Sequence, residues 1–209
     1  MAKIKLNLPK SWADVTIKQY CIIKEIEADD NLDRINKDID TICLLTGITY
    51  QQALALTMKR KHDALKSLAF LNSFDSIPKK INNYFFCKGK LYRLELNMAN
   101  ITWGQYTDLM TFLKDPEKSV DNIHNIFAVL AQPLKFGIWK REYDGEKHSE
   151  LAKVFFENLT IAQTYPILVF FCSLSDNLIT NLLGYLKEKT EMMKASLMTK
   201  QATSQIMAG

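Results

Sequence analysis

Histidine is the side chain best suited to acid–base or metal chemistry near neutral pH, and the three histidines of this chain are far apart in sequence. His62 lies in the charged run 59–63, which is typical of a solvated helix face. His124 lies between apolar positions of a predicted helix, where a packed or exposed histidine is favoured over a catalytic one, and His148 lies on a third element. No His-Glu-x-x-His segment occurs, and no cysteine–histidine spacing suits zinc.

The motifs of phosphate binding and acyl transfer are also missing from the sequence, since it has no Gly-x-Gly-x-x-Gly, no Gly-Lys-Thr/Ser and no Gly-x-Ser-x-Gly. Acidic pairs do occur, Asp29 with Asp30 and Asp38 with Asp40, but carboxylates at helix ends commonly serve as caps or lie in solvated loops. The sequence therefore predicts a protein that is not an enzyme, with no catalytic residue, no metal ligand and no cofactor.

Cationic side chains lie beside aromatic ones in two segments. The first is a candidate basic face on a predicted hairpin, formed by Lys79, Lys80, Lys88, Lys90 and Arg93, and the second is Trp139-Lys140-Arg141. Nucleic-acid-binding proteins use this pairing, because cations contact phosphates and rings stack on bases. A charged outer hairpin face that prevents edge aggregation is the favoured interpretation, since acidic residues are spread through the chain and no strong basic footprint emerges.

One motif occurs twice. Thr16-Ile17-Lys18-Gln19-Tyr20 follows an alternating segment at 4–8, and Thr102-Trp103-Gly104-Gln105-Tyr106 follows a similar segment at 92–96. Each copy precedes a helical stretch, a polar break and a second helical stretch. Thr with Gln three residues later is typical of a capping box, and the Tyr is expected to point towards the core. The repeat predicts an internal duplication of a strand–helix–helix unit, which favours a scaffold over an active site.

The composition bounds the class of protein. With 209 residues, 47% hydrophobic and 24% charged, the chain fits one large domain or two small ones and can bury a sizeable core. The net charge of +4 permits contact with nucleic acid but does not argue for it. Four scattered cysteines among apolar residues suit buried free thiols in a reducing cytoplasm, with no disulfides expected. No apolar run is long enough for a signal peptide or a membrane span.

Only 7 Gly and 5 Pro occur, which favours long helices. Hydrophobic periodicity predicts a strand over 3–8 and a hairpin of strands 84–87 and 91–96. It predicts helices near 16–28, 32–46, 49–61, 102–114, 119–131 and 149–158, and a buried helix within 159–186. Gly47 is the expected cap after the second helix, and His148 or Ser149 the expected cap of the sixth.

The fold class predicted is mainly α with a small β-hairpin or sheet. The chain divides into a first helical repeat unit (1–78), a hairpin with the second repeat unit (79–132), an aromatic and basic loop with buried helices (133–194), and a polar tail (195–209) that should fray.

The pattern Leu8-Pro9-x-Ser11-Trp12-x-Asp14-Val15-Thr16-x-x-Gln19-Tyr20, followed by Leu44-Leu45-Thr46-Gly47-Ile48, resembles small α-helical proteins of the structural modules of tailed bacteriophages, including Bacteroides phages of the crAss-like type. The segment 101–109 is similar to the same set. The resemblance covers 4–48 and 92–131 and carries no catalytic signature. It implies a part of the virion, made in the host cytoplasm, such as a connector ring protein between portal and tail, or else a tail assembly chaperone.

A ring protein contacts the next copy head to tail, and the resemblance implies the portal or other neck and tail proteins as further partners, with no membrane. Exposed aromatics beside Arg or Lys are enriched in protein interfaces. The expected contact residues lie in the segment 133–145 and in the tail: Phe136, Trp139, Lys140, Arg141, Tyr143, Met198 and Met207. The third interpretation, a nucleic-acid-binding module that uses residues 79–93, is distinguished by a steep fall of binding with salt.

Overall fold

Helices dominate the computed structural model, which describes residues 4–115, 120–134 and 143–174, and a small antiparallel sheet accompanies them, so the predicted fold class is confirmed. The chain divides into two compact units, Met1–Leu168 and Val169–Gly209. The α-helices are α1 (Ile17–Ala28), α2 (Arg34–Thr46), α3 (Tyr50–Leu54), α4 (Met58–Ser67), α5 (Trp103–Leu113), α6 (Ile123–Leu130), α7 (His148–Asn158) and α8, helical over 161–174. The strands are β1 (Tyr84–Cys87), β2 (Lys90–Leu94) and β3 (Ala131–Pro133).

Threonine capping boxes begin α1, α3 and α5. Thr16 accepts a hydrogen bond from the Gln19 N–H, and the Gln19 side chain accepts one from the Thr16 N–H at 2.9 Å. Thr102 and Gln105 repeat this geometry at 3.0 Å. At α8 the Gln163 side chain likewise accepts from the Thr160 N–H at 3.0 Å. The predicted capping boxes at Thr16 and Thr102 are therefore confirmed, and the boxes at Thr49 and Thr160 show that the motif marks helix starts beyond the two proposed copies.

The predicted helix over 49–61 is wrong, because α3 ends at Leu54 and α4 begins at Met58. Thr57 has extended backbone and accepts a hydrogen bond from the Arg60 N–H, so a second cap interrupts the helix. Gly47 has φ +73° after α2 and confirms the predicted left-handed cap. Neither His148 nor Ser149 caps α7, which follows Lys147 without a side-chain cap.

The predicted strand at 3–8 is wrong for the residues that the structure describes there, since 4–8 form no strand. Alternating apolar residues become a strand only when another strand pairs with them. The Arg60 guanidinium instead donates a hydrogen bond to the Ile4 carbonyl. The first half of the proposed duplication therefore lacks its strand. The helices of both halves pair as expected, since α1 packs on α2 in the first half and α5 packs on α6 in the second. A common origin of the two halves stays a hypothesis.

The sheet has the order β1-β2-β3 and is antiparallel throughout. Lys88 and Gly89 join β1 to β2 with φ of +49° and +72°, the pair of positive φ values typical of a tight two-residue hairpin turn. The predicted hairpin is confirmed. The prediction that a loop begins at Pro133 is corrected in one respect. Helix α6 leads directly into the strand β3, which ends at Pro133 and pairs with β2.

Two aromatic clusters lie within the first unit. Under the sheet, Phe85 stacks on Tyr92 at 5.3 Å, and Phe155 of α7 contacts both rings edge-on. In the second cluster Trp12 packs on Tyr20 and Phe74, and its indole N–H donates to the Ser73 carbonyl at 2.9 Å. The sheet is thereby fixed on α7, and its other face is left outward.

The caps of α1 and α8 lie side by side. The Ile17 N–H donates to the Leu159 carbonyl, and the Ile161 N–H donates to the Val15 carbonyl, both at 2.9 Å. Two helix N-termini are thus tied together by a pair of reciprocal backbone bonds, which fixes α1 against the segment that follows α7. Helix α1 packs on α2 and on α7, so it lies between the first helices and the sheet layer.

Candidate interaction surfaces

The hairpin presents one aromatic and cationic face outward. Because side chains alternate along a strand, Phe85 and Tyr92 are buried, whereas Tyr84 and Phe86 are exposed, Phe86 by 69%. Tyr84 lies opposite Arg93 in the register. Two large rings thus stand in solvent on a sheet whose other face packs on Phe155 of α7.

The predicted basic residues do not all share the face of these rings, because Lys90 pairs with Cys87 in the register and therefore lies on the face of Phe85 and Tyr92. Lys88 and Lys90 lie at the hairpin turn, and Lys79 and Lys80 precede β1; all four are exposed, and Arg93 is half-buried. None of the five forms an ion pair within residues 4–115, 120–134 and 143–174. We call Tyr84 and Phe86, together with Lys79, Lys80, Lys88 and Arg93, the basic hairpin surface. The structure therefore brings all of the predicted basic residues to one hairpin and its leading loop.

A cleft of about 850 Å³ opens beside the basic hairpin surface. Lys80, Tyr84 and Phe86 line it together with Trp12 and Gln163. The indole N–H of Trp12 is already bonded to the Ser73 carbonyl, so Trp12 adds an apolar wall to the cleft, and polar groups such as those of Lys80 and Gln163 also line it.

Exposed apolar side chains also form a second surface, on α2, α3 and α4, which sequence reasoning missed. Ile35 is 61% exposed and Met58 79% exposed, and Tyr50 and Leu54 lie between them in the chain. The Tyr50 hydroxyl donates to Asn36 Oδ1 at 2.6 Å and so ties α3 to α2. We call these four side chains the helical surface. Periodicity places Ile35 on the buried face of α2, so the finding that it is exposed corrects that expectation.

Carboxylates border the helical surface at its Ile35 end. Asp33 caps α2, Asp30 is exposed, and Asp29 accepts hydrogen bonds from Asn31. None of these three forms an ion pair with another described residue. We call Asp29, Asp30 and Asp33 the acidic edge. The prediction that acidic pairs serve as caps and loops is confirmed for Asp29, whereas Asp38 instead pairs with Arg34 at 3.2 Å and with Lys61 at 3.5 Å.

Of the predicted interface residues, only Tyr143 falls in the described part of the chain. Its hydroxyl donates to Asp108 Oδ2 at 2.5 Å, and burial together with that carboxylate raises its pKa. Tyr143 therefore fastens the start of the segment leading to α7 onto α5. Phe136, Trp139, Lys140, Arg141, Met198 and Met207 lie outside the described residues.

A second cavity, of about 780 Å³, lies between the sheet and α7 and is lined in part by Tyr92, Gln132, Tyr143 and His148. The imidazole of His148 stacks on Phe112 and contacts the Asn125 carbonyl at 3.1 Å, whereas Gln132 Oε1 is buried without a hydrogen-bond partner among the described residues. The contacts of His148 hold the start of α7 against α5 and α6.

The histidines do not converge on one site. His62 is exposed on α4, and His124 packs on Phe156 with its pKa lowered, chiefly by burial. Among residues 4–115, 120–134 and 143–174, no group of three His, Cys, Asp or Glu side chains could hold a metal ion. None of the helices in these ranges is long and apolar enough to cross a membrane. Cys87 is buried, whereas Cys21, Cys43 and Cys172 are only partly so.

No family model matches the sequence, and neither the curated proteins nor the solved structures include a match to it.

Proposed function

We propose that this chain is a non-enzymatic structural protein of a tailed-phage virion that assembles head to tail into a ring at the head–tail connector. The observation that supports this most is the presence of two unlike exposed surfaces on separate groups of elements. The basic hairpin surface lies on a sheet packed against α7, and the helical surface lies on α2, α3 and α4. A ring built head to tail requires two different contact surfaces on each copy.

The first experiment is to measure the mass of the purified protein across concentration and at two salt levels, together with its abundance in intact particles. The proposal predicts a closed oligomer, or a fixed number of copies in each particle. A monomer that is missing from particles would refute the ring, and would favour the tail assembly chaperone that the resemblance also implies.

Nucleic-acid binding is the second candidate function, and a specific observation favours it. Tyr84 and Phe86 stand exposed near four cations that form no ion pair with another described residue, and proteins that bind single-stranded nucleic acid use this combination for stacking and phosphate contact. If these four cations contacted phosphates, the logarithm of the affinity would fall with the logarithm of salt at a slope of about −3. Titration of a labelled oligonucleotide at several salt concentrations measures this slope, and a slope near zero removes the candidate.

A further inference from the structure

We propose that the basic hairpin surface of one copy binds the acidic edge and the Ile35 end of the helical surface on the next copy. This inference rests on the head-to-tail assembly proposed above and identifies its contact. The partner is a second copy of this chain, because the chain itself carries both halves of a complementary pair.

Charge is the first reason. Residues 79–93 contain five cationic side chains and no carboxylate, whereas residues 25–40 contain seven carboxylates and two cations. Arg34 of the acidic segment is already paired with Glu27 and Asp38. The acidic edge and the hairpin cations therefore keep their charges unpaired within the copy, in the part of the chain that the structure describes.

The position of the two surfaces is the second reason. The acidic edge lies at the α1–α2 connection, whereas the hairpin belongs to the sheet that packs on α7. No ion pair between described residues joins the hairpin to the acidic edge. The two surfaces are therefore not paired with each other by any ion pair among the described residues, and each is left for a neighbouring copy.

The arrangement of apolar groups is the third reason. The rings of Tyr84 and Phe86 lie between cations at the two ends of the hairpin, and Ile35 lies directly after the acidic edge. An apolar centre with charged groups around it is the usual composition of a protein interface. Beyond Met58 the helical surface becomes basic, with Lys59 exposed, which would repel the hairpin. The contact therefore lies at the Ile35 end.

Charge reversal tests this contact. The first variant carries Lys80→Glu and Lys88→Glu, and the second carries Asp30→Lys and Ile35→Lys, which spares the caps Asp29 and Asp33. Each variant alone should self-associate at least about tenfold more weakly than the wild type, because like charges then face each other. An equimolar mixture should regain association, because alternating copies form one wild-type contact and then one contact in which both charges are reversed, and both contacts are complementary.

The control matched to the hairpin variant carries Lys18→Glu and Lys66→Glu, which make the same change of charge at exposed positions outside both surfaces; it should associate like the wild type. Thermal melts by circular dichroism show that each variant is folded, and recovery in the mixture is a second sign of folding.

Four results would overturn the inference. Folded variants that associate normally exclude this contact, and so do folded variants that fail to associate again when they are mixed. In both cases the ring proposal still holds if the wild type is oligomeric. A wild type that stays monomeric at every concentration removes the ring and the contact together. Loss of oligonucleotide binding in the hairpin variant, with unchanged self-association, would assign the hairpin to nucleic acid.

Discussion

Replacing the same glutamine in the two copies of the repeated motif should have unequal effects. Gln19 and Gln105 both accept the N–H of their capping threonine, at 2.9 and 3.0 Å. Gln105 is only 4% exposed and also donates through Nε2 to the Val129 carbonyl at 2.8 Å. The hydrogen bonds of Gln19 to other described residues stay within its capping box.

The Val129 carbonyl needs this donor because it lies in the last turn of α6. The last four carbonyls of a helix have no intrahelical partner, and the residue four positions later is Pro133, which has no N–H. The neighbouring Phe127 carbonyl accepts from Ala131, and the Leu130 carbonyl from Glu95. Gln105 thus completes the end of α6 where it turns into β3.

The expected magnitudes follow from these contacts. Gln19→Ala removes one partly solvated capping bond and should lower the free energy of unfolding by about 0.5–1 kcal/mol. Gln105→Ala removes the same bond, leaves a buried carbonyl without a partner at about 1–3 kcal/mol, and removes one buried methylene at about 0.8 kcal/mol. The total for Gln105→Ala should be about 2–5 kcal/mol.

Urea unfolding of both variants followed by circular dichroism measures the difference. A chain of this size should lose about 2–4 °C in melting temperature for each kcal/mol, so the thermal melts should separate as well. Equal destabilisation by Gln19→Ala and Gln105→Ala would refute the reasoning, since it would mean that the Val129 bond contributes nothing.

Three further predictions follow from the first unit. Gly47→Ala should lower the free energy of unfolding, measured in urea, by about 1 kcal/mol, because φ at Gly47 is +73°. Gly104→Ala should raise it by up to about 1 kcal/mol, because Gly104 is helical within α5 and an added Cβ would meet no atom closer than 4.0 Å. Burial lowers the pKa of His124 below 6.5, so the unfolded protein binds a proton at this imidazole more readily than the folded one, and the free energy of unfolding should decrease as the pH falls below about 6.5. His124→Gln should reduce this pH dependence, whereas the control His62→Gln should leave it unchanged. Burial raises the pKa of Cys21 from 9.0 to about 11, so alkylation at pH 8 should be about a hundredfold slower in the native protein than in the unfolded one, as mass spectrometry of labelled peptides would show.

Local signals in the sequence were sufficient for helix ends and for the hairpin turn. Thr16, Thr102 and Gly47 act through bonds or backbone angles within a few residues, so their types alone predict the caps. The strand at 4–8 and the strand β3 depend instead on whether a distant partner is present. Alternation of residues does not contain that information, which explains both errors.

The solvent exposure of individual side chains was harder to predict than secondary structure, and the two interaction surfaces are defined by that exposure. Ile35 fits the apolar period of α2 but is exposed, because periodicity gives the face of a residue and not the extent of the neighbouring element that covers it. The basic residues were identified from sequence because a cation is nearly always exposed, whereas their grouping with Tyr84 and Phe86 required the strand register.

The repeated motif shows the same limit and bears on assembly. Ile17 and Trp103 occupy equivalent positions directly after the capping threonine, with nearly identical cap geometry. Ile17 is fully buried because Leu159 and Val15 draw the α1 cap against the start of α8, whereas Trp103 is 80% exposed and contacts Tyr106. A cap motif can therefore be repeated without repeating its surroundings. If the two halves share an origin, the second cap has kept its local bonds while an apolar side chain became available for contacts outside the copy, as a head-to-tail scaffold requires.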